Sequence, residues 1–293
     1  MPSGKRARQQ RQATAAAAPP PVRSKGAGGT RARQASPRAL AIGGGVVLAI
    51  AIVVVLGVVL FGGSSGGSSS SQVVSSSDMA GLPATGSQSS NVALPGAADA
   101  NNLFKGIPQN GLTLGDPKAP VEMEMFIDVQ CPICQAYEVS NLPTIVKDDI
   151  ANGKVQLHLK PWAFISAQSF TGRYGIIAAA KQNKGFEYAK VLYDNQPPNS
   201  ERTGYLTGKW MANIAASVDG LDLAQWRSDV NSAETKATAK AVDQLATQKK
   251  VQATPTVLVG CTGGKLQNVT TPQFGPTLQN TQQAINAAAA NCH

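Results

Sequence analysis

Acidic residues are missing from the first 77 positions; the first is Asp78. Over residues 1–38 there are nine basic side chains. The other 17 Lys and Arg (26 − 9) balance all 17 Asp and Glu, so the formal net charge of +9 resides in the first 38 residues. The rest of the chain is near neutral, which argues against a nucleic-acid partner despite the basic total. Histidine occurs only twice, as His158 and His293. Neither stands near a second ligand, so no metal site and no cofactor is expected. Cysteine occurs four times, and no internal repeat is present.

The absence of charge continues as a long apolar run. Ala39 to Phe61 is 23 residues of almost nothing but Ala, Ile, Val, Leu and Gly. As a helix it would span about 35 Å, enough to cross a hydrocarbon core of about 30 Å. The basic residues on its N-terminal side predict a cytoplasmic tail over 1–38 and an extracytoplasmic remainder. The expectation is a single-pass cell-membrane protein held in the lipid bilayer. The alternative is a cleaved signal peptide, whose apolar core is ordinarily shorter. Residues 62–102 are rich in Gly, Ser, Ala, Asn and Pro and read as a flexible linker.

Residues 103–293 form the expected folded domain, a normal size for one domain carrying an insertion. Val121–Val129 reads as a buried strand that leads straight into Cys131-Pro132-Ile133-Cys134, where a helical pattern starts and runs towards Ile150. Lys154–Leu159 alternates as a second strand. From about 166 to 250 only Ala-rich helical stretches appear, the last running unbroken over Leu223–Lys249. Strands return at Thr256–Val259 and around Lys265–Val269, and a final helix covers about Pro276–Ala290. The order strand, helix, strand, helical block, strand, strand, helix predicts an α/β domain, β-α-β then β-β-α, with an all-helical insertion.

All four cysteines fall in the region placed outside the membrane, where disulfides persist. Four cysteines allow three pairings. The two-residue spacing makes Cys131 and Cys134 one natural pair and leaves Cys261 with Cys292. A helix start offers free N–H groups to an anion, so Cys131 would carry a lowered pKa and exchange readily. Pro132 suits the first turn because its missing N–H would be unsatisfied there anyway. Cys134, one turn in, would be more buried. The Cys261–Cys292 bridge reads as structural. His158, in an alternating strand, reads as a packed or surface residue.

The cysteine pair after an apolar strand, the helical insertion and Thr254-Pro255 before a late strand resemble the thioredoxin fold, and more closely the membrane-anchored DsbA-like thiol:disulfide oxidoreductases. Gly115-Asp116-Pro117-Lys118-Ala119-Pro120 and Phe126-Ile127-Asp128 add to the likeness, which covers about 105–293. The resemblance implies that Cys131 is the exposed nucleophile, Cys134 the resolving cysteine, and Pro255 a cis proline facing the pair, with Thr254 touching the substrate backbone. It implies reduced or unfolded exported proteins as substrates and a membrane partner that re-oxidises the pair. Relatives often carry a buried acid six residues before the first cysteine. That place is Met125 here, and Glu124 should face the other way; Asp128 and Glu138 are the candidate substitutes for a carboxylate aiding proton transfer to Cys134, although either is more often a solvated surface charge. The leading expectation is an enzyme that introduces disulfides into exported proteins. An isomerase or reductase, a tethered peptide-binding domain and a thiol-based metal carrier are the competing classes.

Overall fold

A computed structural model of the chain describes residues 72–270 and 275–292. The basic tail at 1–38, the apolar run at 39–61 and the start of the linker lie outside the described residues, as does His293. Among the described residues no helix is long and apolar enough to cross a membrane.

Six strands form one sheet: β1 (Gln109–Asn110), β2 (Thr113–Leu114), β3 (Val121–Ile127), β4 (Val155–Pro161), β5 (Thr256–Cys261) and β6 (Gln267–Asn268). Their spatial order is β1-β2-β4-β3-β5-β6. Only β3 and β4 run parallel, in a register that sets Met123 beside Leu157. Their connection crosses over through α2 (Pro132–Ser140) and α3 (Leu142–Ile145), which continues as a π-helical turn over Val146–Ile150. β5 returns antiparallel on the other side of β3, with Met125 opposite Val257.

The alternation read in β4 holds: Val155, Leu157 and Leu159 are buried, while Gln156, His158 and Lys160 are half-buried. In β3 the odd positions Val121, Met123, Met125 and Ile127 enter the main core. The even positions face a smaller cluster of Phe126, Leu258 and Ala246, the last from α8 (Ala233–Gln248). His158 sits on β4 opposite Glu124 in register and takes a 3.0 Å contact between Nδ1 and Thr113 Oγ1.

The helical insertion comprises α4 (Ala167–Ala180), α5 (Gly185–Asp194), α6 (Gly208–Ala216), α7 (Leu223–Val230) and α8. The single helix expected over Leu223–Lys249 is two. Asn231 ends α7, and the Ser232 hydroxyl caps α8 by accepting from Thr235 N. The helices pack closely where side chains are small: a Cβ on Gly175 of α4 would stand 2.3 Å from the Tyr188 hydroxyl of α5. Trp226 fills the space behind, donating from Nε1 to the Gly175 carbonyl at 3.0 Å. Arg173 ties α4 to α8 through a two-toothed pair with Asp243, at 2.6 and 2.9 Å.

The linker expectation over 62–102 is corrected by residues 72–102, which fold onto the domain. A 3₁₀ turn (Ser77–Met79) and α1 (Ala97–Leu103) lie in this stretch. Its composition is polar on average, but apolar residues recur at intervals that anchor it. Val74 and Ala100 are fully buried, and Met79, Leu82 and Leu94 pack against the core. Asn231 Oδ1 accepts from Val73 N at 2.7 Å, and Leu221 and Ala216 carbonyls accept from Gly86 N and Ser87 N at 2.9 Å each. The stretch is an edge-wise strap across α6 and α7, held by backbone hydrogen bonds that composition does not reveal.

Candidate active site

The end of β3 and the start of α2 meet at Cys131. The residue is extended (φ −78°, ψ 118°) and acts as the N-cap of α2, accepting from the Cys134 amide at 3.4 Å. Pro132 occupies the first turn, as its lack of an N–H allows. The approach to Cys131 is held by hydrogen bonds at each step. The Asp128 carbonyl accepts from Cys131 N at 2.9 Å and from the Tyr193 hydroxyl at 3.0 Å. The Val129 carbonyl accepts from the Tyr205 hydroxyl at 2.7 Å.

Asp128 is buried, not solvated. Its carboxylate accepts from the amides of Phe164 and Ile165 at 2.9 and 3.1 Å, from the Ser169 hydroxyl at 2.7 Å and from Gln130 N at 2.9 Å. It thereby fixes the loop that leads from β4 into α4 against the base of the cysteine turn. Gln130 extends the network to Ser166, Ser169 and Ser200.

The Thr254–Pro255 peptide at the head of β5 is cis. The Thr254 carbonyl accepts from Cys131 Sγ at 3.3 Å, so the structure brings together Cys131, Cys134, Thr254 and Pro255 from elements about 120 residues apart. Cys131 and Cys134 are free thiols. Cys131 was expected to be exposed, yet only 5% of it is, because its sulfur tucks between the helix start and the Thr254 carbonyl. Ile133, 54% exposed, is the open member of the turn.

The two sulfurs titrate in opposite directions. A hydrogen bond from the Cys134 side chain is the largest influence on Cys131. With the Cys134 amide, Thr254 and the Ile133 amide it outweighs burial and lowers the Cys131 pKa to about 7. Cys134 is fully buried, and desolvation, followed by its neighbour Cys131, raises its pKa well above the ordinary thiol value. One proton is therefore easily lost from the pair and the other is held.

A groove of about 830 Å³ adjoins the turn, with Ile133, Thr254 and Pro255 at one end and Val251, Leu258 and Leu266 along its wall. Among the described residues no group of His, Cys, Asp or Glu is placed to hold a metal. Cys261 is bonded to Cys292, with Cα atoms 5.4 Å apart, which joins the end of β5 to the residue following α9 (Leu278–Ala289).

Two features were not readable in the sequence. Glu124 does face away from the cysteines, as strand alternation requires, but it is buried and pairs with Lys249 at 2.7 Å and Lys160 at 3.8 Å. Glu138 is 2% exposed on α2, and burial raises its pKa to about 8. The helical spacing Cys134–Glu138 was the one available signal, since residues four apart share a face.

A family model described as Thioredoxin matches residues 108–278. The chain is 30% identical over 159 residues to the Probable disulfide bond formation protein D of Bacillus anthracis, covering 53% of this chain and 71% of that one. The protein of the same description from Bacillus cereus matches equally. Among solved structures, oxidised BdbD from Bacillus subtilis is similar in fold, with a TM-score of 0.53 at 20% identity over 62% of this chain and 94% of that chain. DsbA from Chlamydia trachomatis gives 0.51 at 20% identity, over 61% and 92%.

Proposed function

Because this chain belongs to the DsbA-like thiol:disulfide oxidoreductases of the thioredoxin family, we propose that it donates the Cys131–Cys134 disulfide to reduced proteins on the outer side of a membrane. A substrate thiolate attacks Cys131, the Cys131–Cys134 bond breaks, and a mixed disulfide forms. A second substrate thiol then attacks the substrate sulfur of that mixed disulfide, and the pair leaves reduced as Cys131 thiolate and Cys134 thiol. A membrane-bound oxidant returns it to the disulfide. The observation that carries this reading is the asymmetric dithiol: a Cys131 sulfur that ionises at about 7 above a Cys134 sulfur that keeps its proton. An anion of low pKa is the better leaving group. Thr254 and Pro255 form the contact surface for the substrate backbone, and the adjoining groove receives the flanking residues.

The Cys261–Cys292 disulfide supports an oxidising compartment, where such bridges persist. The apolar run at 39–61 supports tethering of the domain to that membrane. One observation favours a second reading, a reductase or isomerase. A pKa of about 7 for Cys131 equals the roughly 7 of thioredoxin and exceeds the roughly 3.5 of DsbA. The two readings separate in one experiment. Oxidised protein is mixed with reduced, unfolded ribonuclease, and disulfide content is followed by alkylation and mass. Stoichiometric oxidation of the substrate, abolished by Cys131→Ser in a chain with unchanged circular dichroism, supports donation. An equilibrium potential at or below the roughly −270 mV of thioredoxin would assign the protein as a reductase instead.

A further inference from the structure

We infer that the helical insertion tunes the cysteine pair, with Tyr193, Ser200 and Tyr205 as positioning residues whose hydroxyls hold the three peptide carbonyls leading into Cys131. The inference rests on the thiol:disulfide exchange of the pair and holds for either direction of transfer. Asp128, Val129 and Gln130 connect β3 to the cysteine turn, and all three are buried. A buried carbonyl needs a donor. Here each finds one in the insertion. The Asp128 carbonyl accepts from the Tyr193 hydroxyl at 3.0 Å, the Val129 carbonyl from the Tyr205 hydroxyl at 2.7 Å, and the Gln130 carbonyl from the Ser200 hydroxyl at 3.2 Å.

The grip continues past the turn. Gln135 of α2 donates from Nε2 to the carbonyls of Tyr193 and Gln196, at 2.9 and 2.8 Å. One segment of the insertion, 193–205, therefore holds the chain on both sides of Cys131-Pro132-Ile133-Cys134. That segment is itself anchored. Tyr193 lies in the last turn of α5 and is fully buried. Tyr205 sets its ring edge-on against Trp210 of α6, with centroids 4.9 Å apart. The Ser200 hydroxyl accepts from Gln196 Nε2. Burial pushes both phenols above their ordinary range, so they stay protonated and serve as donors rather than acids.

Asp128 carries the grip to both sulfurs. Its carbonyl accepts from Cys131 N at 2.9 Å as well as from Tyr193, and a backbone hydrogen bond from Asp128 acts on the Cys134 sulfur. The Cys134 amide in turn donates to Cys131 Sγ at 3.4 Å. In the disulfide a covalent bond fixes the two sulfurs. In the dithiol nothing covalent joins them, and their mutual contact depends on the turn keeping its shape. The three hydroxyls therefore stabilise the reduced pair more than the oxidised one. A reduced form held more firmly makes the disulfide the stronger oxidant.

The test compares variants that remove one hydroxyl and keep the ring, Tyr193→Phe and Tyr205→Phe. The full chain is equilibrated at pH 7 with glutathione and its disulfide, and protein thiols are counted after alkylation. Each variant should shift the equilibrium about fivefold towards the protein disulfide, the worth of one hydrogen bond. Iodoacetamide labelling of reduced Cys131 should show an inflection moved above the wild-type value of about 7. Tyr188→Phe is the structural control. That hydroxyl also belongs to α5 and is fully buried, but it donates to the Met211 carbonyl at 3.1 Å, away from the turn. This variant should lose stability without moving either reading. Ser200→Ala should shift both readings in the same direction as the two phenylalanine variants, and it decides the matter if neither of them folds. Wild-type equilibrium and inflection in Tyr193→Phe and Tyr205→Phe, or equal shifts in Tyr188→Phe, would overturn the positioning role. A wild-type chain that exchanged no disulfide with glutathione would overturn the exchange reading and the inference with it.

Discussion

Raising the pH through 7 should change how many protons accompany reduction of the Cys131–Cys134 disulfide. Two electrons enter the pair. Below the Cys131 pKa both sulfurs leave as thiols, so two protons enter and the potential falls by about 59 mV per pH unit. Above about 7, Cys131 is a thiolate while Cys134 keeps its proton. One proton then enters, and the slope halves to about 30 mV per pH unit. At pH 8 a Cys131 pKa of 7 in place of 9 makes the reduced form about tenfold more favourable, which is about 30 mV of extra oxidising power. The assay equilibrates the protein with glutathione or dithiothreitol buffers from pH 5.5 to 8.5, quenches with an alkylating agent and counts labelled thiols. A single slope of about 59 mV up to pH 8.5 would refute the reasoning, and two breaks would show that Cys134 titrates as well. The same shift has a stability consequence with a definite sign. The Cys131 pKa is depressed on folding, so its contribution to the reduced form is complete above the unfolded value of 9.0 and is lost as pH falls through about 7. Two pKa units correspond to about 3 kcal/mol at most.

Replacing Cys261 and Cys292 by Ser should lower stability by about 3–4 kcal/mol, from the 31-residue separation they close, with urea unfolding as the measurement; a loss below about 1 kcal/mol would mean that α9 docks without the bridge. Asp128→Ala orphans four donors and should cost about 3 kcal/mol or more, while slowing iodoacetamide labelling of Cys131 as its turn loosens. Asn231→Ala leaves the Val73 and Val74 backbone groups unpaired and should cost about 1–2 kcal/mol, with faster amide exchange confined to the strap; an unchanged exchange pattern would mean that the apolar anchors suffice.

Much of the scaffold was legible because its periodicities are clean. β4 alternates residue by residue, β3 is apolar enough to be central, and the cysteine turn sits where strand meets helix. The short β1–β2 hairpin escaped notice, although Asn110-Gly111 is a hairpin signal and Gly111 does adopt φ 59°. The break between α7 and α8 escaped because no Gly or Pro interrupts the sequence there, and only the Ser232 cap marks the restart. The strap at 72–102 was hidden by averaging: Ser and Ala are its commonest residues, while Val74, Ala97 and Ala100 carry its burial. At the site, residue identity located the cysteines and Thr254-Pro255, but burial of Glu138 and Asp128 depends on neighbours from α4 and α5, and the near-enclosure of Cys131 on the Thr254 carbonyl, none of which a local pattern announces.

The most direct measurement is the thiolate absorbance of the reduced chain near 240 nm as a function of pH, with Cys131→Ser as the blank. The Cys131 sulfur should be half-ionised near pH 7, with no second thiolate appearing below pH 9. A sulfur that still holds its proton at pH 8.5, or two thiolates titrating together, would contradict the asymmetric pair.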